Sequence, residues 1–115
     1  MSVKIIAFFE DGWMPPNTDF RQWDHICRAY GVELQMIDDW AEAVVPDGHA
    51  VVALDEEGTD ALGSVPTSNV VFVIGRTGMK LSDISPDYVV VLKTPEPVSL
   101  FGISAGSILL SRLYG

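Results

Sequence analysis

The sequence predicts a single α/β domain, residues 1–115, built on a five-stranded, mostly parallel sheet with flanking helices. Three observations carry that expectation. Five short segments rich in Val, Ile, Leu and Phe recur along the chain, most of them bounded by Gly, Pro, Asp or Ser, as strands commonly are. Two longer segments carry apolar residues at helical spacing. Three of the five strand segments are apolar throughout and a fourth is apolar but for Lys4, instead of alternating, which fits a parallel sheet covered on both faces. A length of 115 residues is the size of one domain, against a usual ~100–150.

The elements follow in order. Residues 3–9, Val-Lys-Ile-Ile-Ala-Phe-Phe, read as a central strand. Glu10-Asp11-Gly12, Pro15-Pro16 and Asn17 read as a loop, and Asn17, Thr18 or Asp19 as the cap of the next helix. Phe20, Trp23, Ile26, Cys27 and Tyr30 then form its apolar face, with Gly31 as the stop. Val32, Leu34 and Met36 alternate with Glu33 and Gln35, so this strand belongs at a sheet edge. Residues 50–54, 70–74 and 88–92 are Val-dominated and read as more buried strands. Residues 99–114 read as a helix whose middle, Gly102, Ser104, Ala105, Gly106 and Ser107, is small enough to let another backbone approach. Only twelve residues separate Gly75 from Tyr88, the lower limit for a parallel crossover and poor helix material.

Composition narrows the classes. Seven Lys and Arg against sixteen Asp and Glu give a formal charge of −9, which excludes a globally basic nucleic-acid binder. The single cysteine, Cys27, forms no intrachain disulfide and reads as a small core residue. No apolar run approaches the ~18 residues of a membrane span, and residues 2–9 are too short for a signal peptide, so a cytoplasmic protein is expected. The acidic residues, from Asp38 to Asp47 and from Asp55 to Asp60, have no His or Cys at ligand spacing. They read as a solvated surface, and no metal site is expected.

Two motifs near the C-terminus add a more specific signal. Val71-Phe72-Val73-Ile74 runs into Gly75-Arg76-Thr77-Gly78-Met79-Lys80-Leu81-Ser82. Val89-Val90-Val91-Leu92 runs into Lys93-Thr94-Pro95, followed by Ser99-Leu100-Phe101-Gly102-Ile103-Ser104-Ala105-Gly106. This ordered pair resembles the SPOUT class of S-adenosylmethionine-dependent RNA methyltransferases. Phe9-Glu10, Pro15-Pro16-Asn17-Thr18, an Arg-bearing helix and Gly31-Val32-Glu33-Leu34 are similar to the opening of its TrmH-like branch, so the likeness spans nearly the whole chain. The resemblance implies a C-terminal trefoil knot (the α/β knot), a rare exception to the rule against threaded chains. It further implies a homodimer through the last helix, S-adenosylmethionine as cofactor, and methyl transfer to tRNA or rRNA. Carried over, Leu54, Gly75, Leu92, Thr94, Ser99 and Leu100 are the expected cofactor residues.

Methyl transfer to a ribose hydroxyl needs the oxygen in line with the methyl group and a partner for its proton. In the TrmH-like branch an arginine of the first helix is assigned that work, supported by a Glu and an Asn in the two loops. Here Thr77 replaces the Glu, Phe101 replaces the Asn, and Arg21, His25 and Arg28 are the catalytic candidates on the helix. The two replacements open the alternative of an inactive knot-fold binding or interaction protein. The resemblance implies that the segments bearing Arg21, Arg28, Arg76, Lys80 and Lys93 meet at the dimer interface, so a local basic cleft for structured RNA is expected there despite the net charge. A receiver-like signalling domain is a third reading, with Glu10 and Asp11 as its acidic pair, Asp55 as phosphoacceptor, Thr77 as switch hydroxyl and Lys93 as its lysine. Its objection is the lack of helical sequence after the third and fourth strands.

Overall fold

The computed structural model describes residues 2–96 and 98–115. Five strands, β1 (Val3–Phe8), β2 (Glu33–Ile37), β3 (Ala50–Leu54), β4 (Val70–Ile74) and β5 (Tyr88–Val90), form one sheet in the order β2-β1-β4-β3-β5. Every pairing is parallel, with Ile6 opposite Gln35 and Val73, and Leu54 opposite Ile74 and Val90. The alternating strand lies at an edge as expected. The other edge is β5, which ends at Val90 and is therefore shorter and less central than its sequence suggests. Asp60 blunts that edge: its N–H donates to the Val89 carbonyl at 2.9 Å and its carboxylate accepts from the Val89 N–H at 2.8 Å.

The two sheet faces are covered differently. Ile5, Ala7, Val52, Leu54, Phe72 and Ile74 pack against α1 (Pro16–Tyr30) and α2 (Gly102–Tyr114) through Trp23, Cys27, Leu109 and Leu110. Ile6, Phe8, Ala53, Val71 and Val73 face the other way, under Leu81 and the half-buried Trp40, Ala43, Val45, Met79 and Ile84. That second layer holds no α-helix. The connections 38–49, 55–69 and 75–87 contain only short 3-10 turns, Trp40–Glu42, Leu62–Ser64 and Ser82–Ile84. Both the strand order and the missing crossover helices overturn the receiver-like reading, whose doubly wound order is 2-1-3-4-5.

Two local expectations are also corrected. Pro15 stays in the loop, but Pro16 and Asn17 do not: α1 starts at Pro16 with no side-chain cap. A proline at the first helical position has no N–H to satisfy, so the need for a cap is smaller. Asp19, expected as a cap, is buried inside the first turn and accepts the Glu10 N–H at 2.9 Å. Gly31 does end the helix, at φ 66°. The small residues of α2 admit a backbone at one point and a side chain at another: a Cβ on Gly102 would meet the Gly75 carbonyl, and a Cβ on Gly106 would collide with the fully buried Trp23 indole. The last helix starts at Gly102, three residues later than expected, so Ser99, Leu100 and Phe101 lie ahead of it.

Candidate functional site

Loops at the C-terminal ends of β3, β4 and β5 converge, the place where open α/β sheets bind ligands. Between them lies a cavity of about 490 Å³, within the ~300–1,000 Å³ typical of small-molecule sites. Its walls come from four stretches of chain. Leu54 to Glu57 leave β3; Ile74 to Arg76 and Gly78 to Lys80 leave β4; Val90 to Thr94 leave β5; Val98 to Leu100, Gly102 and Ala105 lead into α2. All six residues expected to hold a cofactor, Leu54, Gly75, Leu92, Thr94, Ser99 and Leu100, line it.

Carboxylates bind the walls together. Asp55 accepts the Leu81 N–H at 3.1 Å and the Glu57 N–H at 3.0 Å, which ties the loop after β4 to the loop after β3. Gly58 lets the latter lie against β5, because a Cβ there would stand 2.6 Å from the Val90 carbonyl carbon. Glu10, at the end of β1, accepts the Thr77 N–H at 2.7 Å, the Thr77 hydroxyl at 2.8 Å and the Trp13 indole N–H at 3.1 Å. Gly102 passes close above: a Cβ on it would meet the Gly75 carbonyl at 3.3 Å. Met79 packs over Gly75. The acidic residues are therefore more than a solvated surface. Glu10, Asp19, Asp39, Glu42, Asp55, Asp60 and Asp87 each accept at least one backbone N–H, fixing segments that have no helix to order them.

The expected catalytic residues lie elsewhere in the chain. Arg21 and His25 line a shallow groove between α1 and α2, with Ile103 and Ser107. Arg28 is exposed, 3.5 Å from Asp24 one turn away. None of the three lines the cavity. The expected basic cleft is likewise not formed within one chain. Arg76, Lys80 and Lys93 do line the cavity, but so do Asp55, Glu56 and Glu57. Lys80 pairs with Glu57 at 3.2 Å, and Arg76 with Asp11 at 3.3 Å while its guanidinium lies 5.3 Å from the centre of the Phe8 ring. Exposed pairs of this kind contribute little to stability, yet they leave the rim charge-balanced.

A solved chain with the same arrangement comes from a structure described as giving insights into the 2-OH methylation of C/U34 on tRNA. It matches with a TM-score of 0.67 over 98% of this chain and 94% of its own length, at 15% sequence identity. The likeness is one of fold. No protein-family model matches the sequence, and no curated protein does.

Glu10, Asp55 and Trp13 are the site residues that sequence reasoning assigned otherwise or passed over. Their common signal is position: Glu10 and Asp55 are acidic residues just beyond the C-terminal end of an apolar strand, where loop backbone needs acceptors. Among the described residues no group of three His, Cys, Asp or Glu has metal-binding geometry, and no helix is long and apolar enough to cross a membrane.

Proposed function

We propose that the chain is an α/β knot of the SPOUT class that binds S-adenosylmethionine in the cavity and modifies structured RNA, with tRNA or rRNA as the substrate class. The observation that carries this reading is the convergence of Leu54, Gly75, Leu92, Thr94, Ser99 and Leu100, from distant parts of the sequence, on one cavity of ligand size. The fold of the tRNA-methylation neighbour supports it at the level of architecture.

The residues present fit the group. Leu54, Leu92, Val98 and Leu100 offer an apolar surface for a flat base, with Gly75 beside them in the wall. Carboxylates and cations alternate on the rim, which suits a ligand carrying an ammonium, a sulfonium and a carboxylate. When bound, the cofactor supplies an activated methyl group. The chain supplies orientation: the Glu10 contacts hold the loop after β4, and Asp55 holds its far end.

Arg21, His25 and Arg28 do not reach the cavity of their own chain, so their use requires a second copy docked through α2, with α1 of one chain facing the cavity of the other. In that homodimer Arg21 or Arg28 binds ribose or phosphate, and the His25 imidazole takes the hydroxyl proton.

A second reading, binding without methyl transfer, is favoured by the two replaced positions. The Thr77 hydroxyl is held by Glu10, and Phe101 is stacked on Trp13, so both already have structural partners. Calorimetry with S-adenosylmethionine and S-adenosylhomocysteine tests the cofactor site. Radiolabelled methyl transfer to total RNA, with Arg21→Ala, His25→Ala and Arg28→Ala, then separates enzyme from binder.

A further inference from the structure

We propose that Trp13 and Phe101 form a platform on which an unpaired base of RNA stacks, with Arg21, in the groove lined by Ile103, for an adjoining phosphate. The inference rests on the RNA reading above and assigns it a contact surface. The two ring centroids are 4.4 Å apart with 35° between the planes, and Trp13 and Phe101 remain 51% and 48% exposed. The pair therefore presents contiguous aromatic surface to solvent.

The pair is braced. The Trp13 indole N–H donates to Glu10, which is itself held by Thr77 across the sheet end. Phe101 is the residue on which α2 starts, and its carbonyl accepts the Ala105 N–H at 2.9 Å. Rings fixed in advance lose little freedom when a ligand arrives.

Position and charge select the occupant. Leu100 and Gly102, on either side of Phe101, line the cavity; Ile103 lines the groove that contains Arg21. The platform therefore stands between the proposed cofactor site and a guanidinium that makes no ion pair among the described residues. A base on the rings would have a cation on the α1 side for its phosphate and the cavity on the other side for the neighbouring nucleotide. These two rings do not by themselves hold a second copy of the chain. Two half-exposed rings offer roughly 200 Å² from ~150–250 Å² each, far below the ~800 Å² per partner of a stable interface, but comparable to the face of a base.

The test is fluorescence anisotropy with a labelled single-stranded oligoadenylate, on the full chain without added cofactor. Phe101→Ala is expected to weaken binding about tenfold, the scale of one lost base–aromatic stack, while Phe101→Tyr retains it. Arg21→Ala is expected to reduce the slope of log affinity against log salt by about 0.7, one phosphate on a single strand. Circular dichroism confirms that each variant is folded. Absence of binding by the wild type, or equal binding by Phe101→Ala and wild type, overturns the proposal. So does sedimentation showing that Phe101→Ala splits a dimer, which makes the patch a subunit contact. The readout needs no S-adenosylmethionine, so failure of the cofactor reading and failure of the platform are separate results.

Discussion

Glu10 and Thr77, 67 residues apart in sequence, are joined twice: one carboxylate oxygen takes the Thr77 N–H at 2.7 Å and the other takes its hydroxyl at 2.8 Å. The contact links the end of β1 to the loop that follows β4.

Glu10→Gln replaces one acceptor with an NH₂ group that faces donors already in place. Glu10 is 8% exposed, so water compensates poorly, and the expected loss is about 1–3 kcal/mol. Thermal unfolding measures it, and faster hydrogen exchange at the Thr77 amide localises it.

Gly106→Ala sets helix propensity against packing. Alanine gains up to ~1 kcal/mol in a helix, but its Cβ would collide with the Trp23 indole, and overpacking costs about 1–3 kcal/mol. The net effect expected is destabilisation. With Trp23→Leu the collision disappears, and the same alanine becomes neutral or stabilising. Urea denaturation of the four proteins in a double-mutant cycle reads the coupling.

Asp19 is 1% exposed with one oxygen bonded to the Glu10 N–H and the other without a partner. Burial raises its pKa, outweighing the Glu10 N–H that lowers it, and the Glu10 charge raises it further. The folded state then holds a proton that the unfolded state has lost above 3.8, so this group's contribution to stability falls as pH rises through that window. Asp19→Asn removes the fall. Denaturant midpoints at about pH 4.5 and about pH 8 should favour the wild type more at the lower value.

Burial, helped by the charge of Asp24, pushes the Cys27 thiol up to about 12. With 1% exposure and a negligible thiolate fraction near neutral pH, it should resist a thiol reagent in the native protein and react fully in denaturant. Native-state labelling at the rate of a free cysteine contradicts this burial.

The strands were legible because apolar runs bounded by turn residues report burial directly, and β2 showed its edge position by alternation. β5 was overestimated because Val91 and Leu92 are as apolar as Val89 and Val90, yet they line a cavity instead of pairing. The pairing of Gly106 with Trp23 was not readable, since spacing within α2 says nothing about which side chain arrives from α1. The cavity residues were found through resemblance, because Leu54, Gly75, Leu92, Thr94, Ser99 and Leu100 share no local pattern. The carboxylate contacts to backbone N–H groups were missed because charge counts carry no information about partners.

The most direct measurement is calorimetric titration of S-adenosylhomocysteine into the wild type and into Leu92→Arg, which puts a long charged side chain into the cavity. Saturable binding by the wild type, its loss in a folded Leu92→Arg variant, and unchanged binding in Arg28→Ala are expected. No heat of binding at millimolar ligand, or binding that survives Leu92→Arg intact, would contradict the cofactor reading.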